Sequence, residues 1–217
     1  MFKPIVFAAG LVPLSFLLWR ALSDGLGANP LTEITHETGD WILRFIVITL
    51  AITPARRLIG WNGLIRFRRM MGLYAFFYAT LHFLIYVIAD RFAGLDFPDG
   101  IVAVSTARNL AAPVGKDIYA RPFITIGFTA FLCMVPLAAT STAGMIRRLG
   151  GKRWQALHRL VYASAVFGVV HYWWLVKADL TSPQRYAVVV GGLLAIRLWW
   201  VRARVAPPAR ARAATRS

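Results

Sequence analysis

Cysteine is nearly absent from this chain: Cys133 is the only one, and it lies inside an apolar run. A single cysteine excludes an intrachain disulfide, a four-cysteine zinc site and a cysteine-ligated iron–sulfur cluster, and it reads as a small buried side chain. No C-x-x-C-H occurs, so covalent haem attachment through two thioethers is excluded as well. No G-x-G-x-x-G and no Walker sequence is present, so the chain has no evident nucleotide domain and any nicotinamide must be handled elsewhere. Acidic residues are scarce, nine against 25 lysines and arginines, and there is no convincing internal repeat.

What is there is hydrocarbon. Of 217 residues 58% are hydrophobic, and several apolar runs approach the roughly 20 residues that span a bilayer. The pattern predicts an all-α polytopic membrane protein with six spans at 4–21, 39–54, 70–90, 121–140, 156–177 and 185–202. The second is short, contains Arg44 and is expected to end at Ile52-Thr53-Pro54. The first is read as a retained span, although its Ala21-Leu22-Ser23 end resembles a weak signal-peptidase site. The six-span domain covers residues 1–203, and 204–217 form a basic, disordered tail lying against anionic lipid.

Charge sets the expected orientation. All nine acids fall in or beside the first, third and fifth connections, whereas the opposite face carries Lys3, the 56–69 and 147–159 clusters and the tail from Arg197, 17 of the 25 basic residues. The positive-inside rule makes that face, with both termini, cytoplasmic. The net charge of +16 is therefore a topology signal and gives no reason to expect nucleic-acid binding. Connections are short except 91–120, read as an irregular periplasmic loop with a surface segment near 101–110.

Four histidines carry the chemistry. His82 lies about 18 Å along the third span from its cytoplasmic start, and His171 about 20 Å along the fifth, at about 1.5 Å per residue. Two imidazoles at matching depth on parallel helices can bind opposite faces of one iron porphyrin, a low-spin b-type site, with Gly72 and Gly168 admitting the flat macrocycle. The competing readings are helix-locking histidines, a zinc site short of a third ligand, and a proton relay with no intramembrane acid to continue it. His158 precedes His171 by thirteen residues, which leaves it some 140° away around a straight helix, so it shares a face only if the helix bends. At its level on the third span stand Arg68 and Arg69, whose guanidinium chemistry suits haem propionates or lipid phosphate better than iron. A five-coordinate second haem or an unusual arginine ligand are the further options. Arg44 and Arg121, near the periplasmic ends of spans two and four, are candidate propionate partners against a default of snorkelling. His36 is either a helix-entry residue or a proton-accepting group at a quinone site. The Trp173-Trp174 pair reads as an interfacial belt.

The segments "NPLTEITHETGDWILRF", "ITPARRL", "IRFRRMMGLYAFFYATLHFLIY", "RPFITIGF", "TSTAGMIRRLGGKRWQALHRLVY" and "HYWWLVK" together resemble the haem-binding membrane subunit of the bacterial periplasmic methionine sulfoxide reductase system. This is the MsrQ family of the ferric-reductase-like transmembrane group. The resemblance implies a six-helix bundle in the bacterial inner membrane without the flavin and nicotinamide domain of the wider group. It implies haem b, in one or two copies, with FMN as an optional further cofactor and quinone as electron donor. The implied partners are the quinone pool or a cytoplasmic flavin reductase on one side and a periplasmic molybdopterin-containing methionine sulfoxide reductase subunit on the other, for repair of oxidised envelope proteins. The chain would transfer electrons without itself acting on methionine sulfoxide. The family's haem histidines correspond to His82, His158 and His171. Relatives in the wider group carry a second histidine on span three fourteen residues before the first, where this chain has Arg68, which puts the inner haem's ligation in question. The alternative is a haem-free membrane anchor or assembly factor.

Overall fold

A computed structural model of the protein describes residues 2–23, 25–92, 115, 116, 118–176 and 178–205. The described residues contain helices and no strand: α1 Lys3–Leu22, α2 Pro30–Ile59, α3 Ile65–Phe92, α4 Pro122–Ala139, α5 Ala143–Leu149, α6 Gly151–Leu157, α7 Leu160–Leu175 and α8 Thr181–Val205. Among them α1, the 62–87 stretch that takes in most of α3, α4 and the 181–203 stretch of α8 are long and apolar enough to cross a membrane. The surface segment expected near 101–110 and the tail from residue 206 lie outside the described residues.

The two remaining expected spans take a different form. Instead of stopping at Pro54, α2 runs for 30 residues through it. An internal proline costs about 3 kcal/mol, but Leu50, Ile52 and Pro54 are buried against neighbouring helices, which offsets that cost. The helix begins early because the Asn29 side chain accepts the Thr32 N–H at 3.3 Å, Pro30 occupies the first turn and Glu33 faces the positive helix end. It stops at Gly60, whose φ of 75° is the left-handed cap that favours glycine. The fifth expected span is two helices, α6 and α7, joined at His158 and Arg159, where i→i+3 bonds such as Tyr162 N–H to Arg159 O (2.9 Å) replace the regular ladder.

The helices pack chiefly as two pairs, α2 along α3 and α4 along α7. In the first pair Phe45 stacks on Tyr74 and Tyr78, with ring centroids 5.2 and 5.3 Å apart. Both tyrosines also hold α1. The Tyr78 hydroxyl accepts the Leu14 N–H (3.1 Å) and donates to Gly10 O (3.0 Å), entering the α1 ladder beside Pro13, while Tyr74 donates to Phe7 O at 2.5 Å. In the second pair the buried Ser164 hydroxyl donates to Ala130 O at 3.0 Å. Phe76 and Phe83 of α3 stack on Phe131 of α4. The space enclosed between the two pairs is bordered by His36, His82 and His171.

Candidate functional site

His82 projects from α3 toward α2, where its Nδ1–H donates to Thr35 O at 3.0 Å beside the Thr38 hydroxyl at 3.2 Å. His171 projects from α7 toward α4, and its Nδ1–H donates to Phe123 O at 2.7 Å. A carbonyl can only accept, so each bond fixes the tautomer with a lone pair on Nε2. The ring centroids are 6.4 Å apart and the planes 88° to one another. With about 2.0 Å for a metal–imidazole bond and about 1.1 Å from ring centre to nitrogen, two imidazoles sharing one metal place their centroids at about 6.2 Å. The observed centroid separation is close to that distance.

Both rings border a cavity of about 360 Å³ between α2, α3, α4 and α7, walled by Leu43, Ile46, Phe83, Phe128 and Met134. Glycines make room for the imidazoles. A Cβ on Gly127 would sit 2.6 Å from His171 Nδ1, and one on Gly39 would meet His82 Cε1 at 3.4 Å. Gly168 also lines the cavity, whereas Gly72 faces Thr49 of α2 and not the cavity, because the α2–α3 contact occupies that side. Neither Gly39 nor Gly127, nor the carbonyls of Thr35 and Phe123, was apparent from the sequence. The available signal was Gly127 one helical turn after Phe123 in "RPFITIGF".

The other expected site residues divide between places. His36, exposed, and Arg121, at the start of α4, both line the cavity with His82 and His171. Arg44 is on the other side of α2: it pairs with Asp40 at 3.2 Å, lies over the Trp41 ring at 4.5 Å and borders a separate cleft. The helical period sends residues 36, 39, 40 and 43 to the cavity and 37, 41 and 44 away from it, so Arg44 does not face the imidazole pair.

His158 sits at the α6–α7 break with its Nδ1 3.0 Å from Trp154 O and its ring 3.8 Å from the Trp154 ring. Trp154 in turn donates from Nε1 to Thr140 O at 3.0 Å. His158 Nε2 is buried, approached by the Leu137 carbonyl but without a well-formed hydrogen bond. Arg68 is close enough to act on His158 electrostatically, and Arg57, Arg68 and Arg159 surround Arg197. Arg69 is exposed. No group of three or more His, Cys, Asp or Glu residues that could hold a bare metal ion occurs among the described residues. The paired imidazoles therefore suit an iron whose other ligands come from a macrocycle.

Residues 38–169 match the family described as ferric reductase like transmembrane component. The chain is 52% identical over 198 residues to the protein-methionine-sulfoxide reductase heme-binding subunit MsrQ of Ralstonia nicotianae, covering 90% of this chain and 84% of the relative. It is 48% identical over 202 residues to that of Herminiimonas arsenicoxydans, covering 92% and 85%. For the Bordetella pertussis protein of the same name the identity is 47% over 206 residues, covering 92% and 91%. The chain belongs to the MsrQ family. No solved structure matches it. As an MsrQ-family, ferric-reductase-like protein with four membrane-length apolar helices, it is a multi-pass membrane protein. Residues 38–169 take in His82 and His158, and His171 follows two residues beyond.

Proposed function

We propose that this protein is a b-type haem electron-transfer subunit of the bacterial inner membrane. It takes electrons from quinol or a cytoplasmic flavin donor and passes them to a periplasmic molybdopterin-containing methionine sulfoxide reductase subunit. The observation that supports this reading best is the His82–His171 pair, with both Nδ1 atoms committed to carbonyls and centroids 6.4 Å apart. Bound there, a haem supplies an iron that accepts and releases one electron at a time. The chain's residues orient both imidazoles, exclude water with an apolar wall and place Arg121 and His36 at the rim, where a guanidinium can meet a propionate. His158, with Arg68 as ligand or propionate anchor, is the proposed site of a second haem. In this reading α1, α2, α3, α4, the bent α6–α7 unit and α8 make six spans, with both termini cytoplasmic.

One observation favours the haem-free anchor instead: the bonds from His82 to Thr35 O and from His171 to Phe123 O tie α3 to α2 and α7 to α4 without any iron. Haem per polypeptide, measured by pyridine haemochrome on the purified full chain, separates the two. The electron-transfer reading predicts one or two haems and a Soret band that shifts on dithionite reduction; a folded, colourless protein leaves the anchor. Orientation is tested by cysteine labelling, with a residue at Gly150 reached only from the cytoplasm and one at Gly27 only from the periplasm.

A further inference from the structure

We propose that a second cleft, between α1, α2 and α3, binds the head group of a membrane quinol, with Glu37 receiving its protons; this rests on the reading above that quinol is a donor. The cleft measures about 350 Å³, within the range of small-molecule sites. Phe16 and Leu17 of α1 and Trp41 of α2 give it apolar walls, and α1 leaves Val12 and Phe16 more than half exposed toward the surroundings of the bundle. An amphiphile with a flat ring and a hydrocarbon tail fits such a lining, its tail leaving along α1.

The polar groups gather at one end. Arg20 and Arg44 are neutralised by Glu33 and Asp40 respectively, while Glu37, half-buried in the cleft wall, has no hydrogen bond or ion pair among the described residues. It is the carboxylate left available as a proton acceptor, one helical turn inside the Arg20–Glu33 pair. The cleft is also next to the haem-type cavity. Thr38 lines it, is fully buried, and places its hydroxyl 3.2 Å from His82 Nδ1 on the far side of α2. Only one helix, about 10 Å across, separates the two spaces.

Oxidation of the quinol breaks two O–H bonds and gives the quinone, two electrons and two protons. The electrons would leave one at a time to an iron held by His82 and His171, reoxidised between them by the periplasmic acceptor of the proposed function, and each proton would pass to the Glu37 carboxylate and on to water at that face.

The test uses the full-length protein in nanodiscs and an azidoquinone whose photolabelled peptides are mapped by mass spectrometry, a readout that needs no turnover. Label on α1 or α2 residues of the cleft, displaced by unmodified quinone and reduced at least tenfold by Val12→Trp with the Soret band intact, is the expected result. Label elsewhere, or label in the cleft that quinone does not displace, overturns the site and leaves a lipid acyl chain as its occupant. Glu37→Gln keeps the shape; it should retain labelling and dithionite reduction but slow haem reduction by added quinol at least tenfold, and an unchanged rate removes Glu37 from the proposal. Labelling in the cleft with no haem reduction by quinol in the unmodified protein rejects the donor reading and keeps the site. Haem reduction by quinol with label outside the cleft does the reverse.

Discussion

The two histidine regions differ in the space left around the free imidazole nitrogen. At the His82–His171 end both rings are fixed by backbone carbonyls and open onto about 360 Å³. At the His158 end the ring is covered by Trp154 at 3.8 Å and Nε2 is buried without a well-formed partner. One residue type on neighbouring segments thus makes a preformed chamber at one end and a closed polar centre at the other. A macrocycle can enter the first with its ligands already aimed, whereas one at the second must share the His158 ring with the stacked Trp154. A buried polar atom without a partner costs about 1–3 kcal/mol, so its persistence at His158 calls for an explanation that a ligand would provide.

The largest expected effect breaks the preformed end. Gly127→Leu puts a Cβ where His171 Nδ1 is 2.6 Å away, so the ring must leave Phe123 O. The component of the haem spectrum that belongs to this cavity should be lost, with about 1–3 kcal/mol of destabilisation from overpacking; full haem content in the variant would show that the ring does not need this placement. Next, His158→Ala and Arg68→Ala should remove one and the same spectral component while the other persists. If Arg68→Ala leaves the spectra unchanged, Arg68 returns to the positively charged face as a lipid-facing residue.

A smaller change sharpens the comparison without emptying either end. Thr38→Val removes the hydroxyl beside His82 Nδ1 but keeps the Thr35 carbonyl bond. The haem should remain, with its midpoint potential shifted by about 40 mV, taking about 1 kcal/mol for one hydrogen bond and 59 mV per tenfold for one electron. An unshifted potential in redox titration would detach Thr38 from the site. The smallest effect concerns the edge of the bundle. The Gly27 N–H and the Arg20 guanidinium hold the Glu33 carboxyl below its ordinary value of 4.5. A depressed folded-state value stabilises above the ordinary value and is lost as pH falls through the folded one. Melting curves should therefore show a slight acid-side loss that Glu33→Gln abolishes; an identical pH dependence in both proteins would deny the pair any role.

Much of this was legible because depth along a helix follows from counting residues. His82 and His171 are placed at one level by the 1.5 Å rise alone, and the structure brings them to 6.4 Å. The thirteen-residue spacing of His158 and His171 required a bend for them to share a face, and α6 and α7 do break at His158 and Arg159. The start of α2 was read late because Glu33, Glu37 and Asp40 lower its hydropathy, although Asn29, Pro30 and Glu33 are the start signals that structure uses. Pro54 was read as an end because local propensity favours one, and the burial of Leu50, Ile52 and Pro54 itself overrode it. The partners of the imidazoles were not legible at all: Thr35 and Phe123 contribute carbonyls, which every residue possesses. Which face of α2 Arg44 takes, and so its pairing with Asp40, depended on a rotation that the apolar pattern did not define.

The central claim is that His82 and His171 hold one iron between them, and the visible spectra of His82→Ala and His171→Ala, reduced minus oxidised, test it most directly. Either variant should lose, or convert to high spin, the same single component, and the double variant should look like each alone. Loss of different components in the two single variants would contradict the shared site.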